Sequence, residues 1–191
     1  MSRAVAGPIV PRSFYARKAV IVARELLGKV LVNGDTAGII VETEAYPGGD
    51  DLASHSAAGI TKRTQVIFGP PGHAYVYLCY GMHACMNIVA EPEGTAGCVL
   101  IRALEPVAGL ETMRERRKAA RHVRDLASGP GKLTRALGIT LADYGADLTR
   151  GEFVVREPLR PQRFQIDVTP RIGITKCAEL PLRFVVRTER I

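Results

Sequence analysis

Tryptophan is absent from this 191-residue chain, and Phe and Tyr together supply only 6% of it. No apolar run approaches the ~18 residues that a membrane-spanning helix requires. Residues 1–8 hold no apolar core of signal-peptide length, so the expected location is cytosolic. Cysteine is sparse: Cys79, Cys85, Cys98 and Cys177. No two of them have Cys-x-x-Cys spacing, no His pair completes a zinc pattern, and an iron–sulfur cluster needs tighter spacing. They are expected to be reduced, buried thiols, with no metal site. Neither a Gly-x-x-x-x-Gly-Lys-Ser/Thr loop nor a dinucleotide fingerprint occurs, which argues against nucleotide hydrolysis and hydride transfer. Acidic residues are the scarcer charge, 19 against 26 Lys and Arg, for a net charge of +7 and a pI near 9.5. That balance favours a polyanionic partner, nucleic acid ahead of a membrane surface.

What is present is the composition of one soluble domain, 47% hydrophobic and 24% charged, long enough to bury a core. Residues 1–12 are small and proline-punctuated. They are expected to be a flexible segment leading into a single domain over 13–191. Apolar spacing at Ala19, Val20, Ala23, Leu26 and Leu27 predicts a helix over 15–27, with Gly28 as its stop. Strands follow at 29–32 and 36–46, joined through Asn33-Gly34-Asp35, a strong hairpin signal. Residues 47–72 form a polar loop of the length that carries function. Aromatic alternation predicts a strand at 73–80, a turn at Gly81-Met82-His83, and strands at 84–90 and 98–104, an antiparallel meander. Helical pattern begins after Pro106. Its basic run, Arg114 to Arg124, reads either as a solvated face or as a phosphate-facing surface. Ser128-Gly129-Pro130-Gly131-Lys132-Leu133 opens a short helix ending near Gly138, either as ordinary capping or as a backbone-phosphate site. Short strands are predicted at 153–156, 164–168, 171–174 and 182–187.

The chemistry gathers on Ile39-Ile40-Val41-Glu42-Thr43-Glu44-Ala45-Tyr46. Side chains alternate faces along a strand, so Glu42, Glu44 and Tyr46 share one face. Carboxylates on a half-buried strand are costly unless paired or used. Two of them tend to split in pKa, which gives a site a poised acid or base. The plain alternative is an edge strand with solvated Glu side chains. Tyr75, Tyr77 and Tyr80 fall within six residues of one another. Tyr75 and Tyr77 are read either as sheet core or as base-stacking surfaces. Tyr80, beside Gly81 in a turn, is less easily a core residue.

Ile40-Val41-Glu42-Thr43-Glu44-Ala45-Tyr46, Ser54-His55-Ser56, Phe68-Gly69-Pro70-Pro71-Gly72-His73-Ala74-Tyr75-Val76-Tyr77, Tyr80-Gly81-Met82-His83 and Met86-Asn87 occur in that order. Val99-Leu100-Ile101-Arg102-Ala103-Leu104-Glu105-Pro106, Gly109-Leu110-Glu111-Thr112-Met113-Arg114 and Ser128-Gly129-Pro130-Gly131-Lys132-Leu133 follow. This series closely resembles the alkyladenine (3-methyladenine) DNA glycosylase family, and the short N-terminus fits a bacterial form. The resemblance implies a single α+β domain with a curved antiparallel sheet, open-barrel-like and surrounded by helices. It implies a monomeric, nucleoid-associated enzyme that bends duplex DNA, flips out an alkylated or deaminated purine and hydrolyses its N-glycosidic bond. The product is an abasic site, with no strand cleavage and no cofactor.

Residue by residue, Glu44 matches the family's general base and Arg102 the residue that helps hold the water. Tyr46, His55 and Tyr77 match the walls around the flipped base. Asn87 matches the side chain that excludes normal guanine, and Tyr80 the wedge that enters the minor groove. Lys62, Arg63 and Lys132 are candidate DNA backbone contacts. Two positions depart from the family pattern. Thr61-Lys62-Arg63-Thr64 replaces the usual Thr-Pro-Arg-Asn, which is expected to loosen that loop. Leu182 stands where many bacterial members have Trp, an expected packing change. Two other readings are a non-catalytic module for distorted duplex and a relative acting on RNA or transfer RNA. Glu44 with Arg102 opposes the first, because a pure binder gains nothing from a carboxylate facing phosphates. Asn87 and the pocket match oppose the second.

Overall fold

The computed structural model describes residues 6–160 and 162–187. The longest strand, β3 (Thr36–Pro47), runs through the centre of one antiparallel sheet. Its first residues pair with β2 (Val30–Asn33), and Asn33 faces Thr36 across a two-residue turn in which Gly34 has φ +58°. This is the hairpin that Asn-Gly predicts. Along almost its whole other edge β3 pairs with β6 (Gly97–Ala108), and at Glu42–Glu44 it exchanges β2 for β9 (Arg183–Arg187).

The register between β3 and β6 slips on both sides of Glu42. A bulge bends the strand that carries it and raises the local twist. The sheet is curved and does not close, as the resemblance implied. From one edge the order is β1 (Ala6–Ile9), β7 (Phe153–Pro158), β2, β3, β6, β5 (His83–Val89) and β4 (Ala74–Cys79). A ninth strand among the described residues, β8 (Gln165–Thr169), pairs with β9.

One face of the sheet is closed by α2 (Ala19–Leu26), α3 (Leu110–Arg116) and α4 (Pro130–Leu137). Ala19, Val22, Ala23 and Leu26 recur at helical spacing and are all buried. With Ile40, Ile88, Ile101, Leu133 and Leu137 they form the main core. Thr43 donates its hydroxyl to the Ala23 carbonyl, so Thr43 and Ala45 face the helices. By strand alternation Glu42, Glu44 and Tyr46 are turned to the opposite face.

Several expectations are corrected. Residues 6–12 are not a loose lead: Ala6–Ile9 is a strand on β7, and Val10 donates its N–H to the Val155 carbonyl. Residues 1–5, the rest of that expected segment, lie outside the described residues, as do 161 and 188–191. The helix expected over 15–27 is two elements, α1 (Arg12–Tyr15) and α2. Between them Arg17 Nε donates to the Phe14 carbonyl and Lys18 is extended, which ends the first turn. Pro106 lies inside β6 opposite Gly38, and helix begins only after Gly109. The helix stops at Arg116, so the basic run leaves it early. Arg116 and Arg117 donate to the Ala136 and Leu126 carbonyls, and they brace the chain rather than face solvent or phosphate. Residues 171–174 are a loop, not a strand. Among the described residues no helix is long and apolar enough to cross a membrane.

Gly109 makes the turn from β6 into α3 with φ +69°, and a Cβ there would lie 2.7 Å from the Asp35 carbonyl oxygen. Both the left-handed backbone and the clash oppose a side chain. Gly109→Ala is expected to cost about 2 kcal/mol. Chemical denaturation should show a lowered midpoint with an unchanged slope, and an unchanged midpoint would contradict this account of the turn.

Candidate active site

The concave face turned away from the main core carries a cavity of about 510 Å³. Tyr46 from β3, Tyr77 from β4, Asn87 from β5 and Arg102 from β6 all reach it, together with His55 and Ile172 from loops. Five of the seven residues singled out for catalysis and the base pocket or wedge thus come from adjacent strands, where register sets their spacing: Glu44, Tyr46, Tyr77, Asn87 and Arg102.

Glu44 sits at the back of this site with none of its surface exposed. Its carboxylate accepts from three donors. Ile172 N–H reaches Oε1 at 2.8 Å, while Tyr46 Oη and Arg102 Nη1 reach Oε2 at 2.9 and 3.2 Å. All three donor residues line the cavity and Glu44 itself does not. A carboxylate has about four acceptor positions. The position left over is on Oε1, beside Ile172. Glu42 shares Arg102 with Glu44 and has a second cation of its own, with Arg102 Nε and Arg183 Nε donating to its Oε1 at 3.0 and 2.6 Å. Burial alone would lower the Arg102 guanidinium, but Glu44 and Glu42 outweigh it and raise it above its ordinary value. Burial, and then the adjacent Glu44 carboxylate, push the Tyr46 phenol well above its ordinary value, so it stays a donor.

The aromatic wall is a second network. Tyr75 and Tyr77 share a face of β4 and stack at 5.3 Å, and His55 meets Tyr77 edge-on at 4.6 Å. Tyr75 is buried in a core cluster, as one reading of the pair held, and Tyr77 packs half-buried against it; both rings also line the cavity. His55 Nδ1 lies 2.9 Å from Tyr75 Oη, and Arg63 Nη2 lies 3.4 Å from His55 Nε2. A guanidinium only donates, so Nε2 is the acceptor and the imidazole proton resides on Nδ1. Burial, and then the neighbouring Arg63 charge, lower the His55 pKa. Arg63, a candidate backbone contact, is exposed and lies over the Tyr77 ring at 4.9 Å. Lys62 is exposed, and Lys132 reaches Ser128 Oγ at 3.3 Å. Asn87 is buried, donating to the Tyr75 carbonyl and accepting weakly from Cys98.

Tyr80 stands at the tip of the β4–β5 turn, 82% exposed and with φ +51°. Met82 beside it is 74% exposed. A tyrosine in left-handed backbone costs ~1–2 kcal/mol, and both side chains stay largely exposed among the described residues. Exposed apolar groups on a strained tip are a feature of surfaces that meet a partner.

Sequence reading missed the groups that complete the site. Asp51 and Arg171 form a buried ion pair behind Tyr46, and Ile172 supplies the backbone donor to Glu44. The strand that the pattern predicts over 171–174 conceals Arg171 and Ile172 as loop residues, and Asp51 lies in the long polar loop. The signal available was Arg171-Ile172-Gly173 itself, a charge before a glycine that has φ +77°. Cys79, Cys85 and Cys98 border the cavity as free thiols, and Cys79 and Cys177 are only half-buried, against the expectation for all four.

The His55 shift sets a pH dependence. With its folded pKa lowered, the unfolded chain takes up the proton first on acidification. Stability present above the ordinary imidazole value of ~6.5 is lost as pH falls through that value toward the folded one. Wild type should therefore lose melting temperature more steeply than His55→Gln below pH ~6.5, by about 1–3 °C. Parallel curves would contradict a neutral, half-buried His55.

A family model described as methylpurine-DNA glycosylase (MPG) matches residues 13–190. A protein of Rhodopseudomonas palustris is 52% identical over 184 residues, covering 96% of this chain and 87% of that one. One of Methanoculleus marisnigri is 52% identical over 187 residues, covering 95% and 96%. One of Koribacter versatilis is 50% identical over 186 residues, covering 93% and 89%. Each bears the name "Putative 3-methyladenine DNA glycosylase".

Proposed function

The chain belongs to the methylpurine-DNA glycosylase family, and from that premise we propose that it is a monofunctional DNA glycosylase for alkylated or deaminated purines. It draws the damaged nucleotide out of the duplex, and water replaces the base at C1′ to leave an abasic site. The observation that carries this reading is the Glu44 carboxylate, held by three donors at the back of an aromatic-lined cavity.

The sugar carbon is out of reach while the base is stacked, so the nucleotide must be extruded. Unstacking costs a few kcal/mol, and an inserted aromatic side chain offsets it. Tyr80, projecting from the hairpin tip, takes that place. The flipped base stacks between Tyr46 and the His55–Tyr77 pair. An electron-poor alkylated ring favours such faces. Asn87 lies on the pocket floor, where a buried amide leaves no room for the exocyclic amino group of guanine. Lys62 and Lys132 lie outside the cavity lining, on exposed surface suited to phosphates.

As the glycosidic bond breaks, positive charge grows on the sugar. A buried carboxylate is placed to stabilise it and to take the proton of the attacking water. Arg102, cavity-lining and bonded to Glu44, orients the water on the cavity side of the carboxylate. A cationic alkylpurine departs as a neutral base, a neutral lesion departs as an anion that takes up the proton the water gives up, and the water oxygen forms the new bond to C1′. Among the described residues lining the cavity there is no lysine to form a Schiff base, which supports hydrolysis without strand cleavage.

Glu44→Gln keeps the size but removes the base, and its NH2 must face a donor where the carboxylate accepts on both oxygens. In single-turnover assays on duplexes carrying one ethenoadenine, hypoxanthine or alkylated purine, the rate of base release should fall about 10²–10⁴-fold. Binding should persist. If neither protein releases any of these bases while both bind damaged duplex, the catalytic reading fails and a lesion-binding module replaces it.

A further inference from the structure

We propose that Asp51 and Arg171, which no step above uses, are a positioning pair for the reaction, acting through Glu44 and Tyr46. The inference rests on the glycosylase reading for its kinetic consequence, but not for its structural one.

Both side chains are essentially shut off from solvent, with 3% of Asp51 and none of Arg171 exposed. The guanidinium meets the carboxylate as a fork, Nη1 to Oδ2 at 2.6 Å and Nη2 to Oδ1 at 2.8 Å. Burying an ion pair returns little stability compared with apolar side chains of the same size. Its contribution here is geometric. Arg171 Nη1 also donates to the Ala45 carbonyl at 3.1 Å, the peptide between Glu44 and Tyr46. Nη2 donates to the Cys177 carbonyl at 3.3 Å. The guanidinium lies 4.6 Å from the centre of the Tyr46 ring. It does not line the cavity, so it stands behind that ring rather than beside a bound base.

The next residue is Ile172, whose N–H holds Glu44 Oε1. One side chain therefore ties down the loop that supplies a donor to Glu44, the backbone on the other side of Glu44, and the ring that donates to its second oxygen. Asp51 anchors all of this to the loop that leads into His55. Elements 120 residues apart in sequence are clamped within one hydrogen-bond shell of the carboxylate. A planar fork does this and an ammonium does not, because lysine lacks the paired donors.

The test uses the full chain with Arg171→Lys, which keeps the charge, and with the double variant Asp51→Ala/Arg171→Met, which removes both charges so that neither is stranded in the interior. Two readouts are taken. In amide hydrogen exchange, the segment around Ile172 should exchange at least tenfold faster in both variants than in wild type, with the sheet strands unchanged. In single-turnover base release, the rate at saturating enzyme should drop about 10–100-fold while affinity for the damaged duplex stays within about threefold. Added to Glu44→Gln, the double variant should cost little more, because the pair acts through that residue. Unchanged exchange at Ile172 overturns the proposal whatever the activity. So does a full-strength rate in the double variant, or a loss that multiplies with that of Glu44→Gln. Wild type inactive on every lesion would overturn the glycosylase reading and with it the kinetic half of the inference, while the exchange result would still decide whether the pair positions Ile172.

Discussion

A carboxylate with no exposed surface is the constraint on which the rest of this structure depends. An ionised side chain inside a protein is tolerated only when the surroundings replace the water it loses. For Glu44 the replacement comes from β3 itself through Tyr46, from β6 through Arg102, and from the β8–β9 connection through Ile172. Those three stretches meet only if β3 pairs in register with β6 on one edge and with β9 on the other. Glu42 makes the same demand, since Arg102 and Arg183 reach it from the same two neighbours. The register slips of β3 on β6 fall at Glu42, where the two acids meet Arg102 on one face of the sheet.

Two kinds of surface follow from this. The Glu44 and Asp51 carboxylates at the back of the site are paired from within, although Arg171 Nε has no partner among the described residues, and the aromatic wall is tied together by the His55–Tyr75–Arg63 contacts. The hairpin tip is the reverse case. Tyr80 and Met82 are apolar, exposed and carried on left-handed backbone at Tyr80 and Gly81. α4 braces that tip, since Thr134 donates to the Ala84 carbonyl and Gly131 packs against His83. A stiff, prefilled interior and a stiff, uncovered tip are what the proposed reaction asks for. One must hold a base without rearranging, and the other must hold the gap that the base leaves.

Much of this was legible from short-range pattern. Asn33-Gly34 announced the first hairpin, aromatic alternation announced β4, and Gly138 marked the end of α4. The alternation of Glu42, Glu44 and Tyr46 against Thr43 and Ala45 told which side chains would share a face. Reading failed where a side chain overrode local preference. Arg17 captures the Phe14 carbonyl and splits the first helix. Arg116 and Arg117 cap distant carbonyls, so a run that looked like a charged helix face is partly internal bracing. The N-terminal residues looked loose because proline and small side chains carry no periodic signal. Yet an open edge on β7 was there to receive Ala6–Ile9.

The sequence by itself determined the charge, the strand that bears the acids, the turn that bears Tyr80 and the family, because these are written in neighbouring residues and ordered motifs. Only the tertiary structure decided what surrounds Glu44. Its partners lie up to 128 residues away in the chain, and Asp51 and Arg171 lie 120 residues apart. Their meeting is set by strand register, by the slips of that register around Glu42 and by the closure of loops. No local pattern encodes such distances, because the energy that fixes them comes from the burial of the whole sheet against its helices.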